Sequence, residues 1–295
     1  MSGMQEKQAG TVRLMTHNVW NHDGNSPFWE EKGEDCSAPV RVKSLFRVYR
    51  ETCPDVIGCQ EASALMGDLL REGFCREPVD YTLIWGRYTP ILYRADRLEL
   101  IDSAFGTYPL SIEGFEGSFN DCQSKAWNIG VFRVKESGKC FIFATTHLWW
   151  KRSPKTEADI EANDCQVGSD EAREQQIRML LARLGTFCEK YACPAVLVGD
   201  MNTGYRSGAM EAVRADGFRH AHDIATDYAE EAVGYHYCFH SGYETVYYDK
   251  PFEEAIDHIY VKGEKEGAVL RFERYSPSYY FTVSDHSPAY IDLEL

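Results

Sequence analysis

The stretch AVLVGDMN, residues 195–202, decides the fold class of this 295-residue chain. Its apolar first half, rich in β-branched valine, predicts a buried strand over Ala195–Gly199. The strand then ends in Asp200 and Asn202. Taken alone, such an ending has an ordinary explanation, because Asp and Asn commonly begin turns. It becomes informative because the chain repeats it.

Five other segments join an apolar run to polar side chains in the same way. They are Thr16-His17-Asn18, Gln60-Glu61, Thr145-Thr146-His147, Ile256-Asp257-His258-Ile259 and Ser284-Asp285-His286. If sheets bring these ends together, they form a pocket of carboxylates, amides and imidazoles without a nucleophilic Ser or Cys. Oxygen donors of this kind suit a hard cation such as Mg²⁺ or Mn²⁺ better than zinc held by thiolates.

Short apolar or alternating runs predict further strands along the whole chain. Beside Ala195–Gly199, the predicted strands are Thr11–Asn18, Asp55–Gln60, Tyr81–Trp85, Pro90–Arg94, Leu98–Phe105, Ala126–Val134, Cys140–His147, Ile256–Val261, Ala268–Tyr275 and Ala289–Leu293. The predicted helices are Pro39–Thr52, Ala62–Glu72, Ser169–Tyr191 and Ser207–Ala215. Lys151–Asp170 is predicted to be a polar, acidic loop near the site. We therefore expect stacked sheets with helices outside.

The domain organisation follows from the absence of any linker rich in Pro, Gly or Ser in the sequence. We expect residues 1–10 to be disordered or loosely ordered and residues 11–295 to form a single domain. The polar start of the chain and the lack of a long apolar stretch predict neither a secretory signal nor a membrane span.

Charge and cysteine content narrow the function and the compartment. The formal net charge of −15 repels polyanions and disfavours a protein whose task is gripping long DNA or RNA. It leaves open an enzyme that cuts nucleic acid, because a bound divalent cation reverses the sign locally. Ten cysteines without a Cys-x-x-Cys pair are interpreted as reduced thiols, so the expected location is cytoplasmic.

Taken in order, the six polar segments resemble the endonuclease/exonuclease/phosphatase superfamily, whose members share the fold of pancreatic-type deoxyribonuclease. The resemblance extends from Asn18 to His286, and the pairing of residues 199–202 with residues 284–286 is its most specific part. It implies an α/β fold, a four-layered α/β sandwich in which helices flank two packed mixed sheets. It also implies a hydrolase of ester bonds that depends on Mg²⁺ or Mn²⁺.

The resemblance assigns roles by position. Glu61, with Asn18 and Asp285, would hold the metal. Asp200 would orient or deprotonate the attacking water, and Asn202 would hold that water or a phosphoryl oxygen. His286, fixed by Asp257, would bind the phosphoryl group or act as an acid. His147 would be a second imidazole on the phosphate.

Two departures from the family pattern bear on the substrate. Arg87 stands where many bacterial relatives have an acidic residue, so it is a candidate contact for an additional phosphate, or else a surface residue without a role. The loss of that acid leaves open what orients His147. Trp149, Trp150 and Lys151 follow His147 and are candidates for stacking on a base or sugar and for binding an anion, or else for packing of the loop.

Three functions remain open at this stage. The leading one is a metal-dependent phosphodiesterase or phosphomonoesterase acting on a small or medium phosphorylated substrate. The second is a nuclease acting on DNA or RNA strands, including short nucleic acids. The third is a catalytically inactive binding module on the same fold. The sequence predicts no membrane association and implies no stable protein partner.

Overall fold

A computed structural model describes residues 7–8, 10–75, 81–228, 255–275, 277, 279 and 283–295. Within these ranges the chain forms two six-stranded sheets and seven helices. Both sheets are mixed, because each contains one parallel pair of strands among antiparallel ones.

The first sheet joins strands from both ends of the chain. It contains β1 (Thr11–Asn18), β2 (Val56–Gln60), β3 (Tyr81–Ile84), β4 (Ile91–Arg94), β11 (Val269–Arg274) and β12 (Ala289–Glu294). Its order is β11-β12-β1-β2-β4-β3, with β1 and β2 parallel. The second sheet contains β5 (Leu98–Thr107), β6 (Ala126–Val134), β7 (Cys140–His147), β8 (Ala195–Asp200), β9 (Arg219–His220) and β10 (Asp257–Lys262). Its order is β5-β6-β7-β8-β10-β9, with β7 and β8 parallel.

The helices cover the outer faces of the sheets. They are α1 (Pro27–Glu31), α2 (Ala38–Thr52), α3 (Ala64–Phe74), α4 (Glu157–Ile160), α5 (Ser169–Tyr191), α6 (Gly208–Ala215) and α7 (Ala221–Ile224). Apolar side chains form one core between the sheets, a second between the first sheet and α2–α3, and a third between the second sheet and α5–α6. The predicted four-layered α/β sandwich is therefore confirmed.

Most predicted elements form with small shifts at their ends, and four short ones were missed. The missed elements are α1, α4, β9 and α7. Helix α4 lies inside the segment predicted to be a loop, where Thr156 and Asp159 form a capping box. Of the predicted loose N-terminus, residues 1–6 and 9 lie outside the described residues, and Lys7 pairs with Asp55 at 2.6 Å.

Strand direction brings the polar segments to one edge. His147 and Asp200 are register partners in the parallel pair β7–β8, and Asp257 at the start of β10 pairs with Asp200 from the other side. In the first sheet, Asn18 is the register partner of Gln60, directly before Glu61. The parallel strands of each sheet thus end beside each other, as predicted.

Candidate active site

The two sheets meet through hydrogen bonds between their polar strand ends. Asn18 Nδ2 in the first sheet donates to Asp200 Oδ2 in the second at 2.9 Å. His286, which precedes β12, places Nδ1 2.8 Å from Asp257 Oδ2. Carboxylates and imidazoles from distant parts of the sequence therefore share one buried pocket.

Asp200 lies at the centre of this pocket and is 1% exposed. Its Oδ1 accepts from the backbone N–H of Asn202 at 2.9 Å. Gly199 makes this position reachable, because its φ is 155° and a Cβ there would lie 2.1 Å from the carbonyl oxygen of Thr146. Burial, with repulsion from Asp257 and Glu61, raises the pKa of Asp200 to about 7. Asp200 is thus a buried acid whose pKa suits proton transfer near neutral pH.

Glu61 and Asp285 add two more carboxylates on the side of the first sheet. Glu61 has a left-handed φ of 58° and accepts from the backbone N–H of Asn21 at 2.8 Å. Burial, with repulsion from Glu61, raises the pKa of Asp285 to about 6. Glu61 also repels the charge of Asp200, and ligand atoms of these two residues lie within 4.8 Å of each other.

The pKa values of His286 and His147 shift in opposite directions although both side chains are buried. Burial opposes protonation of His286, but Asp257, Asp200 and Asp285 outweigh it and hold its pKa well above the ordinary value. Burial, with repulsion from Lys125 and His286, holds the pKa of His147 well below the ordinary value. The site therefore contains an imidazolium and a neutral imidazole.

Lys125 is a site residue that sequence analysis missed. Its side chain is 4% exposed, and its Nζ lies 2.9 Å from Nε2 of His147. Burial lowers its pKa, while Glu61, Asp200 and Asp121 oppose that effect. Lys125 is thus a side chain that contacts the His147 ring where the family's acidic residue is absent, and it is a candidate for orienting that ring. A lone lysine before a strand gave no signal in the sequence.

The donor set fits a divalent cation. Ligand atoms of Glu61, His147 and Asp200 lie within 4.8 Å of one another, and so do those of Asp200, Asp257 and His286. The pKa values of Asp200 and Asp285 are raised mainly by burial, and repulsion from Glu61 adds to both shifts. A cation relieves that repulsion, so the pocket is a candidate divalent-metal site.

The two predicted amide residues turn their side chains toward the protein. Asn18 Oδ1 accepts from the backbone N–H of Trp20 at 2.9 Å while its amide nitrogen contacts Asp200. Asn202 Nδ2 donates to the carbonyl oxygen of Leu148 at 3.1 Å. In this arrangement Asn18 contacts Asp200, and its role as a metal ligand stays a prediction.

The predicted substrate contacts divide into three cases. Trp149 is 2% exposed within the core under α5, so its predicted stacking on a substrate is wrong. Trp150 is half-buried, donates from Nε1 to Asp121 at 3.1 Å, and has the Lys151 ammonium 4.1 Å from its ring centre. Arg87 is exposed on the wall of a cleft beside Glu61.

The other histidines are mainly structural. His17 and His258 are buried: His17 contacts the Tyr49 hydroxyl at 3.1 Å, and His258 contacts the carbonyl oxygen of Thr203 at 2.9 Å. His220 is buried in β9, 3.2 Å from His258. His222 lies in α7. His236 and His240 lie outside the described residues.

With this geometry in place, comparison assigns the family. The sequence matches the Endonuclease/Exonuclease/phosphatase family over residues 15–286, and the chain belongs to that family. Members of the family are hydrolases that act on phosphoester bonds. A comparison with curated proteins gave no match.

Solved structures agree on the fold. A family member from Bacteroides thetaiotaomicron is 18% identical, with a TM-score of 0.69 over 98% of this chain and 96% of that one. A mannosyl-6-phosphatase from the same organism is 18% identical, with a TM-score of 0.67 over 96% and 99%. D. rerio TDP2 bound to a single-strand DNA product is 16% identical, with a TM-score of 0.55 over 96% and 98%. Among the described helices, none is both long and apolar enough to cross a bilayer.

Proposed function

We propose that the protein is a Mg²⁺- or Mn²⁺-dependent phosphoester hydrolase that acts on a small or medium phosphorylated substrate. The observation that carries this proposal is the buried cluster around Asp200, where carboxylates from both sheets face an imidazolium and a neutral imidazole. The acidic net charge of −15 favours small substrates over long duplexes. We also propose that residues 11–295 act as one catalytic domain.

Each charged group in the pocket has a proposed task in phosphoryl transfer. Glu61 and Asp285 would hold the metal, which supplies positive charge to the phosphoryl oxygens. Asp200 orients a water molecule and accepts its proton during attack on phosphorus. His286, held by Asp257, binds a phosphoryl oxygen or donates a proton to the leaving oxygen. Asn202 holds the water or a phosphoryl oxygen, and His147 is a second donor to the phosphate.

Metal dependence is tested by an activity screen over phosphosugars, nucleotides, a chromogenic phosphodiester and single- and double-stranded nucleic acids. We expect hydrolysis of at least one small phosphoester in Mn²⁺ or Mg²⁺, its loss in EDTA, and its recovery when the metal is returned. Full activity in chelator would contradict the metal-based proposal. Absence of metal binding, and of hydrolysis of every compound, would favour an inactive binding module.

A nuclease is the second candidate, and the DNA product bound to the TDP2 neighbour favours testing it. Repeating the activity screen at several salt concentrations distinguishes a nuclease from a small-molecule phosphatase. A strand held at several phosphates loses affinity steeply as salt rises, because binding releases condensed counterions. A small-molecule phosphatase has a much shallower dependence, so a steep salt slope for an oligonucleotide substrate would favour the nuclease.

Lys125 is proposed to position His147 and to add positive charge at the phosphoryl site. We expect Lys125→Met to lower kcat about a hundredfold, which is the effect of removing one donor from a charge-stabilising site. Lys125→Arg should recover part of the loss. The control is Lys139→Met, since Lys139 is exposed just before the opposite end of β7. A Lys125→Met enzyme with wild-type kcat would contradict this role.

A cytoplasmic location also remains a proposal. It is supported by the nine described cysteines, which are all free thiols, as expected for a reducing compartment. Cys238 lies outside the described residues.

A further inference from the structure

A cleft of about 320 Å³ opens beside the proposed metal ligand Glu61. Its wall begins with Ala62 and Ser63, directly after Glu61, and reaches Cys122, in the segment that leads to Lys125. Between them it is lined by Trp85, Arg87 and Arg71, among other residues. The cleft is therefore lined by close chain neighbours of Glu61 and Lys125, so it opens next to the candidate active site.

Hydrogen bonds from the buried side chain of Asn128 hold the turn that carries Trp85 and Arg87. Buried Asn128 donates from Nδ2 to the carbonyl oxygens of Trp85, at 3.2 Å, and Thr89, at 3.1 Å. A Cβ on Gly86 would lie 2.3 Å from that same nitrogen, so the close contact requires glycine. Arg87 has a left-handed φ of 49°. Strained backbone persists where the surroundings determine it, so this turn fixes the backbone position from which the Arg87 side chain extends.

The charge of Arg87 is not compensated within the described part of the chain. Its guanidinium has neither a hydrogen bond nor an ion pair there, whereas Arg71 across the cleft pairs with Asp68 at 2.8 Å. In a protein with a net charge of −15, an exposed arginine without a partner among the described residues offers a bidentate contact to an anion beside an acidic site.

The start of α3 adds to this preference for anions. Ser63 caps the helix by accepting from the backbone N–H of Met66 at 3.0 Å, and the first turn of α3 contains no acidic residue. Ala64 and Gly67 of this helix line the cleft. The positive end of the helix dipole is thus not neutralised by a side chain of its own first turn.

Trp85 supplies a flat surface beside the arginine. Its side chain is 57% exposed and lines the cleft. Phe105 contacts the indole edge-on, with ring centres 5.3 Å apart and planes at 70°. An exposed indole can stack on a planar base or on the apolar face of a sugar.

We propose that the cleft lined by Trp85 and Arg87 binds the leaving group of the substrate and selects a ring compound that carries a second phosphate. This proposal rests on the proposed hydrolase function. Trp85 contacts the ring, Arg87 contacts the second phosphate, and the reacting phosphate lies at the Asp200 cluster. The cleft volume is at the lower end of the range for small-ligand pockets, which fits one nucleotide or one sugar rather than a strand.

Calorimetric binding in the Asp200→Asn background tests the cleft without turnover. The probes are adenosine 3′,5′-bisphosphate against adenosine 5′-monophosphate, and fructose 1,6-bisphosphate against fructose 6-phosphate, each with Mn²⁺. We expect at least one bisphosphate to bind roughly tenfold to a hundredfold more tightly than its monophosphate, as one charged hydrogen-bonded contact provides. Adding Arg87→Met should remove that difference, and Arg178→Met, which changes an exposed arginine on α5, should preserve it.

Binding to a Trp85→Leu variant shows whether the ring of the ligand is a nucleotide base or a sugar. A loss of about tenfold for the adenosine compound with little change for the fructose compound assigns a nucleotide, and the reverse assigns a sugar. Equal affinity for bisphosphate and monophosphate, or an unchanged difference in Arg87→Met, would overturn the proposal. The hydrolase function fails separately, if the unmodified protein with Mn²⁺ hydrolyses no phosphoester.

Discussion

An asparagine in place of Asp200 is expected to lower kcat by about 10²- to 10⁴-fold, because it removes the proposed general base. The amide has nearly the same shape as the carboxylate but cannot accept the proton of the attacking water. The pocket is arranged around this one carboxylate, since Asn18 and the backbone of Asn202 donate to its two oxygens. The loss should therefore appear in kcat much more than in KM.

The same substitution should change thermal stability little, because two effects oppose each other. One of the two donors, Asn18 Nδ2 or the Asn202 N–H, would face the new amide nitrogen and lose its acceptor, while a buried negative charge is removed. Burial and repulsion from Asp257 and Glu61 raise the pKa of Asp200 to about 7, so the ionised carboxylate is disfavoured in the folded state. Removing its charge relieves that repulsion, and functional sites commonly trade stability for activity in this way. Asp216→Asn, on the surface after α6, is the matched control. A tenfold loss of kcat or less, or a loss explained by unfolding, would mean that the role of Asp200 is misassigned.

Local patterns account for the parts of the fold that the sequence predicts well. Strands β1, β6 and β7 and helix α5 have the predicted bounds, because the length of each apolar run, together with its periodicity, distinguishes short buried strands from a long amphipathic helix. The short elements were missed for the opposite reason. Two or four residues are too few for a period, so β9 and α7 depend on the strands that pack against them.

Contacts between residues far apart in the sequence explain the two clearest differences between the predicted site and the observed one. Lys125 belongs to the site because it contacts His147 and interacts with the charge of Asp200, and both residues are distant in the sequence. No local sequence pattern predicts such a contact. Trp149 and Trp150 look alike in the sequence, yet the first is buried in the core and the second is half-buried beside Asp121. Which of two neighbouring tryptophans faces inward depends on the packing of α5 against the sheet.

The sequence does not predict how the amide side chains of Asn18 and Asn202 are oriented. Strand ends place Asn18 and Asn202 at the site, which a pattern of residue types can predict. The direction of each carboxamide depends on backbone groups such as the N–H of Trp20 and the carbonyl of Leu148. Residue types therefore predict which side chains meet, and hydrogen-bond geometry decides which atoms face the substrate.

Replacement of His286 by alanine is expected to lower kcat by about 10²- to 10⁴-fold through loss of a phosphoryl donor or general acid. A substitution of Asp257 tests whether the proton on His286 is needed for turnover. Asp257 is 2.8 Å from Nδ1 of His286 and is the largest of the charges that hold the pKa of this ring well above the ordinary value against burial. Asp257→Asn keeps the ring but removes that charge, so the pKa of His286 must fall.

The direction of the pH effect follows from this shift. If turnover needs the imidazolium, activity disappears as pH rises through the pKa of His286, and a lower pKa moves that alkaline limb to lower pH. We expect the kcat profile of Asp257→Asn to be displaced in this direction, with Asp216→Asn retaining the wild-type profile. An alkaline limb that stays in place or moves upward would show that His286 contributes a neutral hydrogen bond instead of a proton, and His286→Ala would then act through binding of the phosphoryl group alone.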